Sequence, residues 1–279
     1  MMNTVKKFIA MRSFPVAVIA LIIMVIAGVT YTGPANSGTG LWSGIIVGAV
    51  SRSILGVSSW LGNSYGLGII VYTILIRLLI LPLMANQTES MVKMQEIQPQ
   101  LQALQKKYSS RDQESMMAMQ AEQKALYKEA NVSPFASFLP LLVQLPILMA
   151  LYSAIQTTKI LQQGTFLWVQ LGDRDPYFIL PILAAAFTFL SSYLVMMGQP
   201  EKNTMTTAMT FLMPLMIFFF AINVPSVLSL YWVVSNAFQV AQTWTLQNPF
   251  KLRAQRQAKK DAEKARERAI RKAKRSKKR

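Results

Sequence analysis

The 279-residue sequence contains no cysteine and no histidine. These absences exclude disulfides, thiol nucleophiles, Cys/His zinc sites, Cys-ligated iron–sulfur clusters, Ser–His–Asp triads and histidine proton relays. Charged residues are also few, at 15% against about 25% in an average soluble protein. A soluble chain of this size needs more charge to coat its surface. Hydrophobic residues make up 52%, and the mean hydropathy is +0.32. The formal net charge is nevertheless +17, from 29 Lys and Arg against 12 Asp and Glu. A chain both apolar and basic keeps its charge apart from its apolar runs.

Six runs approach the length of about 20 residues that a membrane helix needs. They cover 14–32, 65–85, 134–157, 177–197, 206–223 and 227–247. The runs are continuous rather than alternating, which argues against membrane strands. The expected fold class is therefore an all-α polytopic membrane protein. Lys and Arg set its orientation. Residues 1–13 carry Lys6, Lys7 and Arg12 without an acid, and fifteen Lys and Arg with only three acids lie in 251–279. Both ends are expected in the cytoplasm, which six crossings allow. The segments 33–64 and 158–176, expected outside, hold only Arg52, Lys159 and Arg174 as cations. Residues 1–32 read as a signal peptide or as an N-terminal membrane anchor. Within 33–64, Trp42, Ile46, Val50, Ile54 and Val57 fall near helical spacing, with serines and Arg52 on the other face. An amphipathic helix lying at the outer interface is expected over 41–61.

Residues 86–130 are rich in strong helix formers and hold six Lys or Arg and six Asp or Glu. They read as a cytoplasmic helical hairpin, broken near Ser109 to Asp112, with Ser110 and Gln113 as a capping box for the second helix. Ser133-Pro134 is expected to start the next helix, and Asn248-Pro249 to stop the last span. The tail, 248–279, has Ile270 as its only large aliphatic residue after Leu252, so it is expected to be disordered or an unsupported helix. Its cations include Lys251, Arg253, Arg256, Lys259, Lys260, Arg271, Lys272, Lys274 and Arg275. They suit a polyanion, either RNA or an anionic phospholipid surface; topology control alone is the plainer reading. No aromatic residue follows Phe250, so stacking on bases is not indicated.

Arg77 is the most informative residue. It lies twelve residues into its run and eight from the end. A central arginine costs about 2.5–3.5 kcal/mol even on the translocon scale. No expected span contains Asp or Glu, so the chain offers no counter-ion inside the membrane. Either a hydrated cavity surrounds the guanidinium, or another molecule brings the negative charge. The distance of about 12 Å to the near end is long for snorkelling. Gln144, Thr188, Ser191, Ser192, Ser235, Asn236, Gln239, Gln242 and Thr243 are polar residues of the spans that could line such a cavity. Asn236, Gln239 and Thr243 fall on one helical face. Interhelical hydrogen bonding explains each singly; together they suggest a wet groove.

Around these residues the sequence resembles the YidC-type membrane protein insertases, relatives of the mitochondrial Oxa and chloroplast Alb insertases. GLGIIVYTILIRLLILPL (66–83), QPQLQALQKKYSSRDQ (98–113), NVSPFASFLPLLVQLPILMALYSAI (131–155), FLWVQLGDRDPYFILPILAA (166–185) and FAINVPSVLSLYWVVSNAFQVAQT (220–243) carry the resemblance by their order and spacing. It implies a five-span core, 65–247, with a hydrophilic groove open to the cytoplasm and to lipid. Arg77 stands in the place of the family's groove arginine, and Trp232 in that of a groove-associated tryptophan. Ser191 and Ser192 stand where relatives often have two glutamines. Val29 stands where many Gram-positive relatives carry the lipid-bearing cysteine, so no lipid anchor is expected. The implied function is insertion and folding of newly made membrane proteins in the bacterial cytoplasmic membrane, without ATP hydrolysis. The alternative is an assembly chaperone acting with the Sec translocon. Expected partners are nascent membrane proteins, the ribosome and its RNA through the basic tail, anionic phospholipids and the Sec translocon. No catalytic residue, metal or cofactor is expected, and the chain is not expected to be an enzyme.

Overall fold

Apolar runs become helices because a backbone without water must satisfy its polar groups internally. The structure, a computed structural model, describes residues 14–33, 35, 39–108, 112–134, 139–199, 204–246 and 248–276. The first run forms α1 (Phe14–Thr30). Next comes α2 (Leu41–Trp60), whose opening residues Leu41–Val47 wind as a wider π-helix. The second run does not end at the membrane boundary. It continues into the first arm of the hairpin as α3 (Tyr65–Lys107), a single 43-residue helix with Pro82 and Pro99 inside it. At 1.5 Å per residue it is about 65 Å long, roughly twice a bilayer's apolar thickness.

The second arm is α4 (Gln113–Glu129). Its cap is Asp112, which accepts a hydrogen bond from the Ser115 amide at 3.1 Å; this corrects the expected Ser110 cap. Asp112 directly precedes the first helical residue, the position from which a side chain reaches back to the free amides. Ser110 lies outside the described residues. At the hairpin tip, Lys107 Nζ and Tyr108 Oη both donate to Glu122 Oε1, at 2.6 and 2.7 Å. These hydrogen bonds hold the Glu122 carboxyl below its ordinary pKa and the Lys107 ammonium above its own.

Three further apolar runs form α5 (Leu139–Thr157), α7 (Ile179–Met197) and α8 (Thr204–Ala221). The last forms α9 (Ser226–Leu246). Residues 135–138, which follow the expected start at Ser133-Pro134, lie outside the described residues. Between α5 and α7 the chain makes a short α6 (Lys159–Gln162) and a two-stranded antiparallel hairpin, β1 (Thr165–Phe166) and β2 (Val169–Gln170). Thr165 pairs with Gln170 and Phe166 with Val169.

The core joins α1, α2, α3, α5 and α9 through Ala27, Ile54, Ile69, Ile155 and Val227, closed at one end by Leu171. On the other side of α9, α7 packs against both α9 and α8. The serines of α2 do not form an outer polar face. Ser51, Ser53 and Ser58 are buried. Ser53 Oγ donates to the Met24 carbonyl of α1 at 3.0 Å, and Thr158 Oγ1 to Ser51 Oγ at 3.0 Å. Small hydroxyls that find a carbonyl bury readily between helices. Gly56 lets the two helices meet, because a Cβ there would overlap the Ala27 carbonyl.

The segment before α7 fastens two helix starts. Ser226 donates from both its amide (2.6 Å) and its hydroxyl (2.7 Å) to the Asp173 carbonyl, and the Val227 amide donates to Leu171 O at 3.1 Å. The first amides of α9, which no helical carbonyl can satisfy, thus find partners. Buried Asp175 accepts from the Leu180 amide at 2.7 Å, the Tyr177 amide at 3.1 Å and Trp168 Nε1 at 3.0 Å, and so caps α7. Asn248-Pro249 does more than stop α9. Asn248 Oδ1 accepts from the amides of Phe250 and Lys251 at 3.1 and 3.2 Å, starting α10 (Pro249–Ser276). Of the two forms expected for the tail, the helix is the one adopted.

Candidate functional site

Arg77 sits on α3 where that helix packs against α9, and only 7% of its surface is exposed. Its Nε donates to Ser235 Oγ at 2.9 Å, and Nη2 donates to the same oxygen. Nη1 faces Gln239 Oε1 at 3.4 Å, a long contact. Ser235 and Gln239 are one turn apart on α9, so one helical face presents both oxygens. Among the described residues, every hydrogen-bond partner of the guanidinium is neutral. The hydroxyl and amide orient the cation but leave its charge uncompensated, an arrangement in which an anion gains strongly on arrival. One turn further along α9, Gln239 Nε2 points to Thr243 Oγ1 at 3.5 Å, and Gln242 and Thr243 are buried.

The other expected groove residues take separate places. Gln144 on α5 donates from Nε2 to Tyr231 Oη of α9 at 2.6 Å. Asn236 does not face Arg77 with Gln239. Its Nδ2 donates to Thr188 Oγ1 at 2.7 Å and to Ala184 O at 3.4 Å, which ties α9 to α7. Trp232 meets Phe220 edge-on, with ring centroids 5.4 Å apart, beside a cavity of about 240 Å³ that also borders Met149 and Tyr152. Ser191 and Ser192 are partly exposed on α7, about one turn beyond Thr188. The structure therefore brings together Arg77, Ser235 and Gln239; Gln144, Trp232, Asn236 and the two serines stand apart from that cluster. Ser235 was only one of several polar residues in the sequence. The signal that singles it out is register: Gln239 lies one turn along the same face.

A cavity of about 250 Å³, lined by none of Arg77, Ser235 and Gln239, opens between α2, α3, α5 and α9. Trp42 and Ile46 of α2, Tyr72 and Ile76 of α3, Ile147 of α5 and Tyr231 line it in part. At the opposite end of α9, Arg256 of α10 donates to the carbonyl of Gly198, the residue that caps α7. Burial pushes the Arg256 guanidinium below its ordinary pKa. Lys251 and Arg253 are exposed on the same helix. The side chains of Lys259, Lys260, Arg271, Lys272, Lys274 and Arg275 lie outside the described residues.

The model of the 60Kd inner membrane protein family matches residues 56–255, which take in α3 to α9 and the Arg77 cluster. The chain belongs to this family. It is 57% identical over 259 residues to "Membrane protein insertase YidC 2" of Lactiplantibacillus plantarum, covering 93% of this chain and 92% of that relative. It is 55% identical over 227 residues to "Membrane protein insertase YidC" of Enterococcus faecalis, covering 81% and 82% of the two chains. A solved structure, "Active YidC insertase crystal structure with the first transmembrane domain resolved", is similar with a TM-score of 0.57 and 26% identity. That match covers 74% of this chain, which spans 47% of the solved one. The chain is accordingly an all-α, polytopic insertase-family protein of the bacterial cytoplasmic membrane. Among the described residues, α2, α3 and α7 are each long and apolar enough to cross a membrane.

Proposed function

We propose that this chain inserts newly made membrane proteins by offering the Arg77 cluster to the polar segment that must cross. The observation that carries the reading is a buried guanidinium whose hydrogen-bond partners among the described residues are Ser235 and Gln239. An acidic segment supplies the negative partner that the guanidinium lacks among the described residues. Charge-assisted hydrogen bonds are roughly twice as strong as neutral ones, so the bond repays part of the segment's lost hydration. The client's apolar helix then moves into lipid. Burying its apolar surface, at about 25 cal/mol per Å², drives the step without ATP. No bond is made or broken, so the chain acts as a translocase and not as an enzyme.

The rest of the molecule supports this task. Gln144, Ser191, Ser192, Trp232 and Asn236 form the walls along which the client passes. α2 lies at the outer interface, and the segment between α5 and α7 closes the outer end. The hairpin of α3 and α4 projects into the cytoplasm with the C-terminus. Lys251, Arg253 and the later cations of α10 meet ribosomal RNA or anionic phospholipid, with Arg256 anchoring α10 at Gly198.

The test is reconstitution. Purified protein in liposomes receives ribosomes translating a single-span protein with an acidic external tail. Protease protection of the tail above that in empty liposomes is expected. No protection from folded protein overturns insertion by this chain alone and favours assembly beside the Sec translocon.

A further inference from the structure

Two buried side chains, further along α3 and α9 than the Arg77 cluster, have unused hydrogen-bonding atoms. Gln87 on α3 is 3% exposed, and neither its Nε2 nor its Oε1 has a partner among the described residues. Gln242 on α9 is 5% exposed, and its Oε1 likewise has none. Buried amides without partners cost stability, and a folded protein rarely keeps them without a use. Their places are related. Gln242 lies two turns beyond Ser235, so it shares the α9 face that turns to Arg77 and α3. Gln87 lies ten residues beyond Arg77 on α3, about 15 Å further along the axis in the same direction. On the orientation proposed above, both lie between Arg77 and the cytoplasm.

Their chemistry differs from that of Arg77. A guanidinium only donates and selects anions; a carboxamide both donates and accepts. A carboxamide therefore matches the peptide group, whose N–H and C=O every client carries whatever its side chains. We propose that Gln87 and Gln242 form a second recognition point, which binds main-chain peptide groups of the crossing segment before it reaches Arg77. This rests on the insertase reading. It assigns charge-blind holding to the amides and charge selection to the arginine.

The test uses the full chain in liposomes with two clients, one with an acidic tail and one with every Asp and Glu of that tail changed to Asn and Gln. Gln87→Leu, Gln242→Leu and the double variant are compared with the native chain. Each single change is expected to slow insertion of both clients about fivefold, the loss of roughly one hydrogen bond. The unfolding temperature of the variants in detergent is expected to hold or rise, because leucine removes an unpartnered polar group at similar volume. Native insertion rates in the double variant overturn the proposal. So does an unfolding temperature that falls along with insertion, which shows the amides to be structural. Failure of the native chain to insert either client is a separate result and overturns the insertase reading itself.

Discussion

Ser235 takes two donors of Arg77 on one oxygen, and Asp175 takes three donors on two. Single small side chains thus set the position of much larger ones. Removing Ser235 leaves the guanidinium with one long contact to Gln239, so Ser235→Ala is expected to destabilise the fold by about 1–3 kcal/mol. A lowered unfolding temperature in detergent checks this, and an unchanged one shows that Ser235 does not hold the arginine. Asp175→Ala leaves two backbone amides and an indole N–H without their acceptor. A loss of similar size, about 1–3 kcal/mol, is expected in the same measurement. Arg77 was legible in the sequence because a lone charge in an apolar run is conspicuous. Asp175 was not, because beside Asp173 and Arg174 it reads as an ordinary loop charge. Its burial depends on where Trp168 and the start of α7 come to lie.

The helices of the apolar runs were readable because length and composition alone define them. Boundaries and faces were less so. The α3 helix runs past the membrane boundary because the Met, Gln, Glu, Lys and Leu residues that follow Ser90 are strong helix formers, and the helix carries Pro99 without ending there. The serines of α2 read as an outer face, yet Ser53 bonds the Met24 carbonyl, and Ser58 Oγ bonds Ile54 O of its own helix at 2.8 Å. A hydroxyl satisfied in this way is compatible with either face, so periodicity cannot place it. The β1–β2 hairpin has two residues in each strand, too few for any pattern to show. Gly56 gives the pairing of α1 and α2 a direct test. Gly56→Val drives a side chain into the Ala27 carbonyl, and a destabilisation of about 1–3 kcal/mol or more is expected. Native thermal stability of that variant contradicts the close contact of the two helices.

Across the whole molecule, charge separates two tasks. Among the described residues, Arg77 lies inside the bundle among neutral partners, while α10 carries exposed cations away from the core. Removing 251–279 is expected to weaken ribosome co-sedimentation at least about tenfold at low salt, with the difference shrinking as salt rises. Unchanged binding moves that role to residues 86–130. The resemblance of ordered segments made the family legible. The partition of polar residues among Arg77, α7 and α5 was not, since it depends on how α9 is rotated. The role proposed for Arg77 is to receive a negative charge from the client. The most direct measurement compares Arg77→Ala with the native chain in liposomes, on clients with an acidic tail and with the same tail neutralised. At least about tenfold slower insertion of the acidic client is expected, a loss of roughly 1.4 kcal/mol or more, with a much smaller effect on the neutral one. Equal rates for native and variant on the acidic client contradict that role.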